Sequence, residues 1–542
     1  MNRGSTVVLV GACAGLFLAG ACKPPTIATL DPPQGPPHTV VQVQGANLAL
    51  GRVIWDRGLA SEVAVPTSLS GSLFSVPPGA AAGPHPVAVQ TGVGTSGTLS
   101  FTVTAAPVAF PAPRIDDVYV QLFSINASGA TFLLFAYGPN VDAGAKVVVD
   151  GVEQTSAFSQ VLRATLPGAA GTLGYPIFHY GMIWCGLVNQ PPGTTINVAV
   201  KNLDGQLSAT VPYRIAANMA ELDSDNDGLS DQIEDHGFDA NGDGMIDVDL
   251  PAMGVNKWHK DVLVEADWMT GAAAPLAAVW PTAVAAMANY PVMNLDGVQG
   301  LNLIVDRGQG APFTGGGTNP PTTDCMRLGG GTATGFTDQY AFKATAANFD
   351  PNRLRLFHYV IFGFDSAACA IGCGTAGGVT NSGCSSGQSE SFLGPGNDFY
   401  VTCPSNLCSA TSQAATFLHE LGHNLALQHG GDEGTNFKPN YPSIMSYRYQ
   451  FPGVSTNCDL TPDGVLTYSQ GMLSNLDENN LNENLGICGN VSIDWNGSGA
   501  LQTGVSTDIN SDGALSVLHD SADFKRVQLR FATAAGTQWG GN

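Results

Sequence analysis

The chain has 542 residues, enough for three or four domains. Its 44 acidic residues against 21 basic ones give a formal charge of −23, which excludes nucleic acid and anionic lipid head groups as main partners, since both demand clustered Lys and Arg. Only 12% of residues are charged, while 67 are Gly and 34 are Pro. That composition is too apolar for a disordered chain and suits turn-dense β-structure outside the cytoplasm.

Residues 1–22 read as an export signal. Arg3 supplies the positive start, and Ala19-Gly20-Ala21 is the small-residue cleavage region. The apolar run Val7–Leu18 falls short of the ~20 residues that a membrane-spanning helix needs. Cys22, placed just after the small residues, resembles the modified Cys of a bacterial lipobox, which implies a lipid anchor at the cell surface or outer membrane. Plain secretion is the alternative, and membrane contact is expected through that anchor alone. The C-terminal cysteines Cys325, Cys369, Cys373, Cys384, Cys403, Cys408, Cys458 and Cys488 suit disulfides in an oxidising compartment, with the pairing open. Cys185 is left over, and pairing with Cys22 or another chain is expected for it.

From 24 to 107, short runs alternate apolar and polar residues between Gly and Pro. Thr39–Val43, His85–Val89 and Leu99–Val103 have the period of strands. The stretch Ala28-Thr29-Leu30-Asp31-Pro32 and the turns at Gly45-Ala46-Asn47 and Val76-Pro77-Pro78-Gly79 resemble an IPT/TIG immunoglobulin-like domain. Residues 110–217 repeat the style, with strands at Lys146–Val149 and Asn197–Val200, and read as a second β-sandwich. Both are expected to serve as spacers or as ligand-binding modules.

Residues 221–250 are rich in Asp. Asp223, Asp225 and Asp227 take positions 1, 3 and 5 of an EF-hand-type calcium loop, with Gly228 at the sharp turn, the Leu229 carbonyl at 7, Asp231 at 9 and Glu234 at 12. Asp239, Asn241, Asp243 and Asp247 start a second such loop, although Leu250 stands where its last acid should be. Asp508, Asn510 and Asp512 begin a third fragment. Ca²⁺ is therefore expected as a stiffener of domain junctions.

The pattern changes over 256–500. Strands are expected at Lys260–Asp267, Gly300–Val305, Phe357–Phe362 and Asp398–Thr402, with a helix over Pro275–Tyr290, an alternation that predicts an α/β domain. Within it, Thr411 or Ser412 can cap a helix that carries Leu418, Leu421 and Leu425 on one flank. His419 and His423, four apart, project from one face and can hold one ion. Glu420 beside them can take a proton from a bound water, and His429 arrives six residues later. Three neutral imidazoles with an open fourth position describe a catalytic Zn²⁺ site.

Spaced in this way, the motif resembles that of the metzincin clan of zinc endopeptidases. The match extends to Ser443-Ile444-Met445-Ser446-Tyr447, where members of the clan have a tight turn with Met beneath the metal and, in some branches, a Tyr that stabilises the oxyanion. The resemblance implies an exported zinc metalloendopeptidase acting on protein or peptide substrates, with Glu420 as general base and Tyr447 as oxyanion donor. The clan has Gly where this chain has Ala426. Cys185 could hold such an enzyme latent by ligating its zinc, and the strand Asp398–Thr402 could pair with a bound peptide. The expected organisation is thus multidomain: N-terminal all-β immunoglobulin-like sandwiches, then calcium loops, an α/β metzincin-like domain and a C-terminal segment over 501–542 with a possible calcium loop. The alternatives are a surface adhesion or binding protein whose peptidase-like domain is inactive, and a peptidase whose third ligand is Glu433.

Overall fold

The computed structural model describes residues 23–68, 72–104, 110–115, 117–126, 128–162, 180–270, 273–290, 292, 294–320, 325–328, 336–363, 386–390, 396–403, 408–489 and 491–529. The chain divides into two compact units. One is essentially residues 1–106; the other runs from Pro107 to the C-terminus, apart from Asp142–Gly144 and Ala157–Ser159, which group with the first.

The first unit is a β-sandwich. Strands β1 (Thr26–Asp31), β3 (Val40–Ala46) and β6 (Leu73–Ser75) form one sheet. The second has the order β2 (Gln34–Gly35), β9 (Leu99–Val103), β7 (Gly83–Thr91), β4 (Arg52–Trp55), β5 (Val63–Val65), with β8 (Gly94–Thr95) beside β7. Alternation drives it: in β9, Phe101 and Val103 are buried while Ser100 and Thr102 are exposed. Trp55 sits in the core against Phe74 and Phe101.

The second unit opens with two four-stranded sheets. One is ordered β10 (Asp117–Asn126), β11 (Gly129–Pro139), β15 (Tyr180–Gln190), β14 (Ser156–Leu162). The other is β13 (Val152–Glu153), β12 (Lys146–Val149), β16 (Thr195–Lys201), β17 (Val211–Arg214). Cys185 lies on β15 opposite Leu134, fully buried as a free thiol, and burial pushes its pKa up to about 12. The thiol is thus enclosed within the sandwich and away from the three histidines, which does not fit the latency role expected of it, and Cys22, its other expected partner, lies outside the described residues.

Two short helices follow, α1 (Asp231–His236) and α2 (Leu250–Met253), and then the central sheet. Its order is β19 (Asn302–Asp306), β18 (Asp261–Trp268), β22 (His358–Phe362), β24 (Asp398–Val401), β23 (Gly387–Ser389). The first four strands run parallel, and β23 runs antiparallel at the edge. All five residues of β22 are buried, as expected of a strand covered on both faces. One face packs on α3 (Val279–Ala288) and α5 (Ala410–Asn424) through Trp280, Phe362 and Phe417. Tyr119, Tyr137 and Met182 of the preceding sandwich join that same cluster. The other face packs on Phe349, Leu356 and Met253. Between them, β20 (Cys325–Arg327) pairs with β21 (Phe336–Asp338), which runs into α4 (Gln339–Lys343).

The segment from 501 pairs with the strands before it. In it β27 (Thr503–Val505) pairs with β26 (Leu481–Asn482), and β28 (Val517–Leu518) with β25 (Leu476–Asp477), ahead of α6 (Asp523–Arg526). Disulfides join Cys403 to Cys408 and Cys458 to Cys488. Cys22, Cys369, Cys373 and Cys384 lie outside the described residues. Among the described residues no helix is long and apolar enough to cross a membrane. Strands predominate throughout, as the Gly- and Pro-rich composition leads one to expect.

Candidate metal centre

Helix α5 starts two to three residues earlier than its sequence signals suggest. Ser409, rather than Thr411 or Ser412, is the cap, its Oγ accepting from the Ser412 N–H at 3.1 Å. Leu418, Leu421 and Leu425 are all buried, which anchors that flank and turns the histidine flank the other way. Gly422, between the two histidines, is required by packing: a Cβ there would lie 2.3 Å from Met445 Sδ. Met445 is itself fully buried, packed against the helix at Gly422 between the two histidines. The helix ends as Leu425 N–H bonds to Leu421 O and Ala426 N–H to His423 O. Ala426 takes φ 73°, the left-handed turn that sends the chain back toward His429.

The three imidazoles converge. His419 Nε2 and His423 Nε2 are 3.2 Å apart, and ligand atoms of His419, His423 and His429 all lie within 4.8 Å of one another. His419 Nδ1 is 2.8 Å from Ile444 O, and His423 Nδ1 is 2.7 Å from Leu427 O. A carbonyl only accepts, so both Nδ1 atoms carry hydrogen and both Nε2 lone pairs face the common point. Burial, with the neighbouring imidazoles second, pushes His419 well below its ordinary pKa and His423 down to about 4. Burial alone takes His429 to about 4. Neutral, preoriented nitrogen donors fit a borderline metal such as zinc, and nothing in the donor set suits a hard oxygen-loving ion.

Glu420 is buried, and burial pushes its pKa up to about 8. Its side chain lies over the edge strand: a Cβ on Gly387 would meet Glu420 Oε1 at 2.7 Å. Tyr447 is half exposed, with its ring 4.4 Å from that of His429 and 5.6 Å from that of His419. Burial first and the Glu420 carboxylate second push its hydroxyl up. Glu433 turns away to Lys438 Nζ at 2.7 Å and is not in the histidine cluster, which removes it as the alternative third ligand. The strand expected to pair with a peptide is corrected too. β24 is flanked by β22 and β23, so its backbone is engaged on both sides.

A second gathering of charge lies at the Asp-rich segment. Asp223, Asp225 and Asp227 come together, and Asp227 also meets Glu234 and Asp261. Burial, then the neighbouring carboxylates, push Asp227 up to about 7 and Glu234 to about 10, while burial and Asp227 push Asp261 to about 8. Asp231 is drawn elsewhere: its carboxylate accepts from Ser224 N at 2.7 Å and from Ser224 Oγ at 2.8 Å. Leu229 is buried, its N–H donating to Asp227 Oδ1 at 2.8 Å. The second loop differs. Asn241 and Asp243 are exposed and Asp239 is half-buried, and together with Asp247 they accept from the loop's own backbone N–H groups. Asp261 was not foreseen, because it stands outside the loop at the head of an apolar strand. An acid at the mouth of such a strand was the only local sign.

No family model matches the chain, and no curated protein matches it. Among solved structures it is similar to SGBP-B of a mixed-linkage glucan utilization locus of Bacteroides ovatus, in complex with a mixed-linkage heptasaccharide, at 13% identity and a TM-score of 0.14 over 36% of this chain and 46% of that one. A second is SGBP-B from a complex xyloglucan utilization locus of Bacteroides uniformis, at 16% identity and a TM-score of 0.13 over 36% and 50%. The chain thus spans about half the length of each. The expectation of a metalloendopeptidase acting on protein substrates is corrected: no comparison names a peptidase, and the two structures found are proteins of glycan utilization loci. Likeness at these scores assigns no ligand to this chain.

Proposed function

We propose that this is an exported surface binding protein in which β-sandwich modules accompany a three-histidine zinc centre, with Glu420 beside it as the group that could activate a water. The observation that supports it is the convergence of three neutral imidazoles with a buried carboxylate alongside. Export is supported by the N-terminal signal and the two disulfides. His419, His423 and His429 would hold the zinc, which when bound supplies a Lewis acid and lowers the pKa of water. Glu420, buried beside the imidazoles, would accept a proton from water and return it to the leaving group. Tyr447, on the open side, donates a hydrogen bond to the oxygen on which charge develops. Ile444 O and Leu427 O keep the two helix imidazoles oriented.

The test compares residues 23–542 with Glu420→Gln at equal bound zinc, on a panel of ester, amide and glycosyl substrates. We expect one zinc per chain in both proteins and turnover in the parent that falls by at least about 10²-fold in the variant. Zinc bound with equal turnover, or none in either protein, would favour a binding role for the sandwich modules with an inert metal site.

A further inference from the structure

We infer that Asp223, Asp225, Asp227, Glu234 and Asp261 form a calcium site closed across the chain, with Asp261 of the central sheet as a ligand in place of Asp231. The loop spacing alone would not carry this. Glu234 does: it is 2% exposed, and neither of its carboxylate oxygens has a hydrogen-bond partner. Asp225 is fully buried, and its Oδ2 is likewise unpartnered. A buried carboxylate with no donor is costly enough that proteins pair it or give it a metal. A nearby cation, Lys260, adds positive charge but leaves those carboxylate oxygens without a hydrogen bond. Lys260 Nζ bonds to Asp117 at 2.8 Å, to Asn226 O at 2.9 Å and to Asp225 O.

The donor set selects the ion. It contains only oxygens and no imidazole or thiolate, and five carboxylates, with Glu234 able to bind through both oxygens, reach the six to eight donors that Ca²⁺ takes. The carboxylates are already oriented: Asp227 Oδ2 accepts from Asp261 N–H at 2.8 Å, and Asp261 Oδ2 accepts from Asn256 N–H at 2.9 Å. Asp261 is the first residue of β18, while Asn226 bonds to Asp117 of β10 at 3.0 Å. An ion held here therefore ties the Asp-rich loop to the central sheet at the point where the preceding sandwich is also fastened. This assignment is independent of the zinc reading.

The test uses residues 23–542 stripped with chelator and kept saturated with zinc, titrated with Ca²⁺ by calorimetry and followed by thermal melting. We expect one tight calcium and a rise in Tm of about 5 °C or more at millimolar calcium. Asp261→Asn should weaken that binding at least tenfold, and Asp231→Asn should leave it within threefold. Should Asp261→Asn fail to fold, Glu234→Gln carries the same tenfold expectation. Unchanged affinity in Asp261→Asn or Glu234→Gln, a loss in Asp231→Asn as large as theirs, or a Tm indifferent to calcium would overturn the proposal.

Discussion

Ala426 holds a conformation that glycine takes freely. At φ 73° an L side chain costs about 1–2 kcal/mol, and the turn is needed because His429 must come back to the two helix histidines. Ala426→Gly should therefore stabilise the protein by about 0.5–1 kcal/mol, the relief being partly offset by the greater freedom of glycine in the unfolded chain. A denaturant midpoint that rises at constant slope, with zinc content unchanged, checks this; a lower midpoint refutes it. At this scale much was legible. The spacing of His419 and His423 dictates a shared face on any helix, and the strain at Ala426 follows from its place after that helix. Asp261 was not legible, because it is brought to Glu234 by folding and no local spacing announces the contact.

Strand β22 and helix α5 meet through a buried polar pair, His358 Nδ1 and Asn424 Oδ1 at 3.2 Å. Burial pushes His358 from 6.5 down to about 3, so the folded protein keeps it neutral where the unfolded chain would protonate it. The sign is that of a depressed group: its stabilising contribution is present above the unfolded pKa and is lost as pH falls toward the folded one. Between about pH 6 and 3 this residue alone should add a slope approaching 1.4 kcal/mol per pH unit. The difference in unfolding free energy between the parent and His358→Gln, measured from pH 4 to 7, should therefore shrink as the pH falls. Parallel curves would remove His358 as the cause. Element positions were readable from period and burial, since Lys146–Val149 and Leu99–Val103 form strands over those same residues. Strand order was not. An apolar run such as Asp398–Val401 reads alike at an edge or in a sheet's interior, and only the pairing with β22 and β23 decides which.

The C-terminal segment returns to brace the turn beneath the histidine cluster. Asp523 is fully buried and accepts from Tyr441 Oη and Ser443 Oγ, both at 2.6 Å, and from Ser469 N–H at 2.8 Å. Ser443 Oγ in turn accepts from the Met445 N–H at 3.2 Å, which links α6 to the turn beneath the histidines. Asp523→Ala leaves three buried donors unpaired and should cost about 3 kcal/mol or more, with weaker zinc retention under chelator competition. Equal stability and equal zinc retention would show that the brace is incidental. The sequence by itself determined the chemistry: which side chains could hold a metal, which carboxylate stood beside it, and where the strands alternate. Those properties follow from helical and strand periods acting over a few residues. Only the tertiary structure decided that Asp261 joins the Asp-rich loop, that Asp231 leaves it for Ser224, that Cys185 faces inward, and that the last segment braces the turn beneath the histidines. Each depends on contacts between residues far apart in the chain, made by packing and by the need to satisfy buried charge.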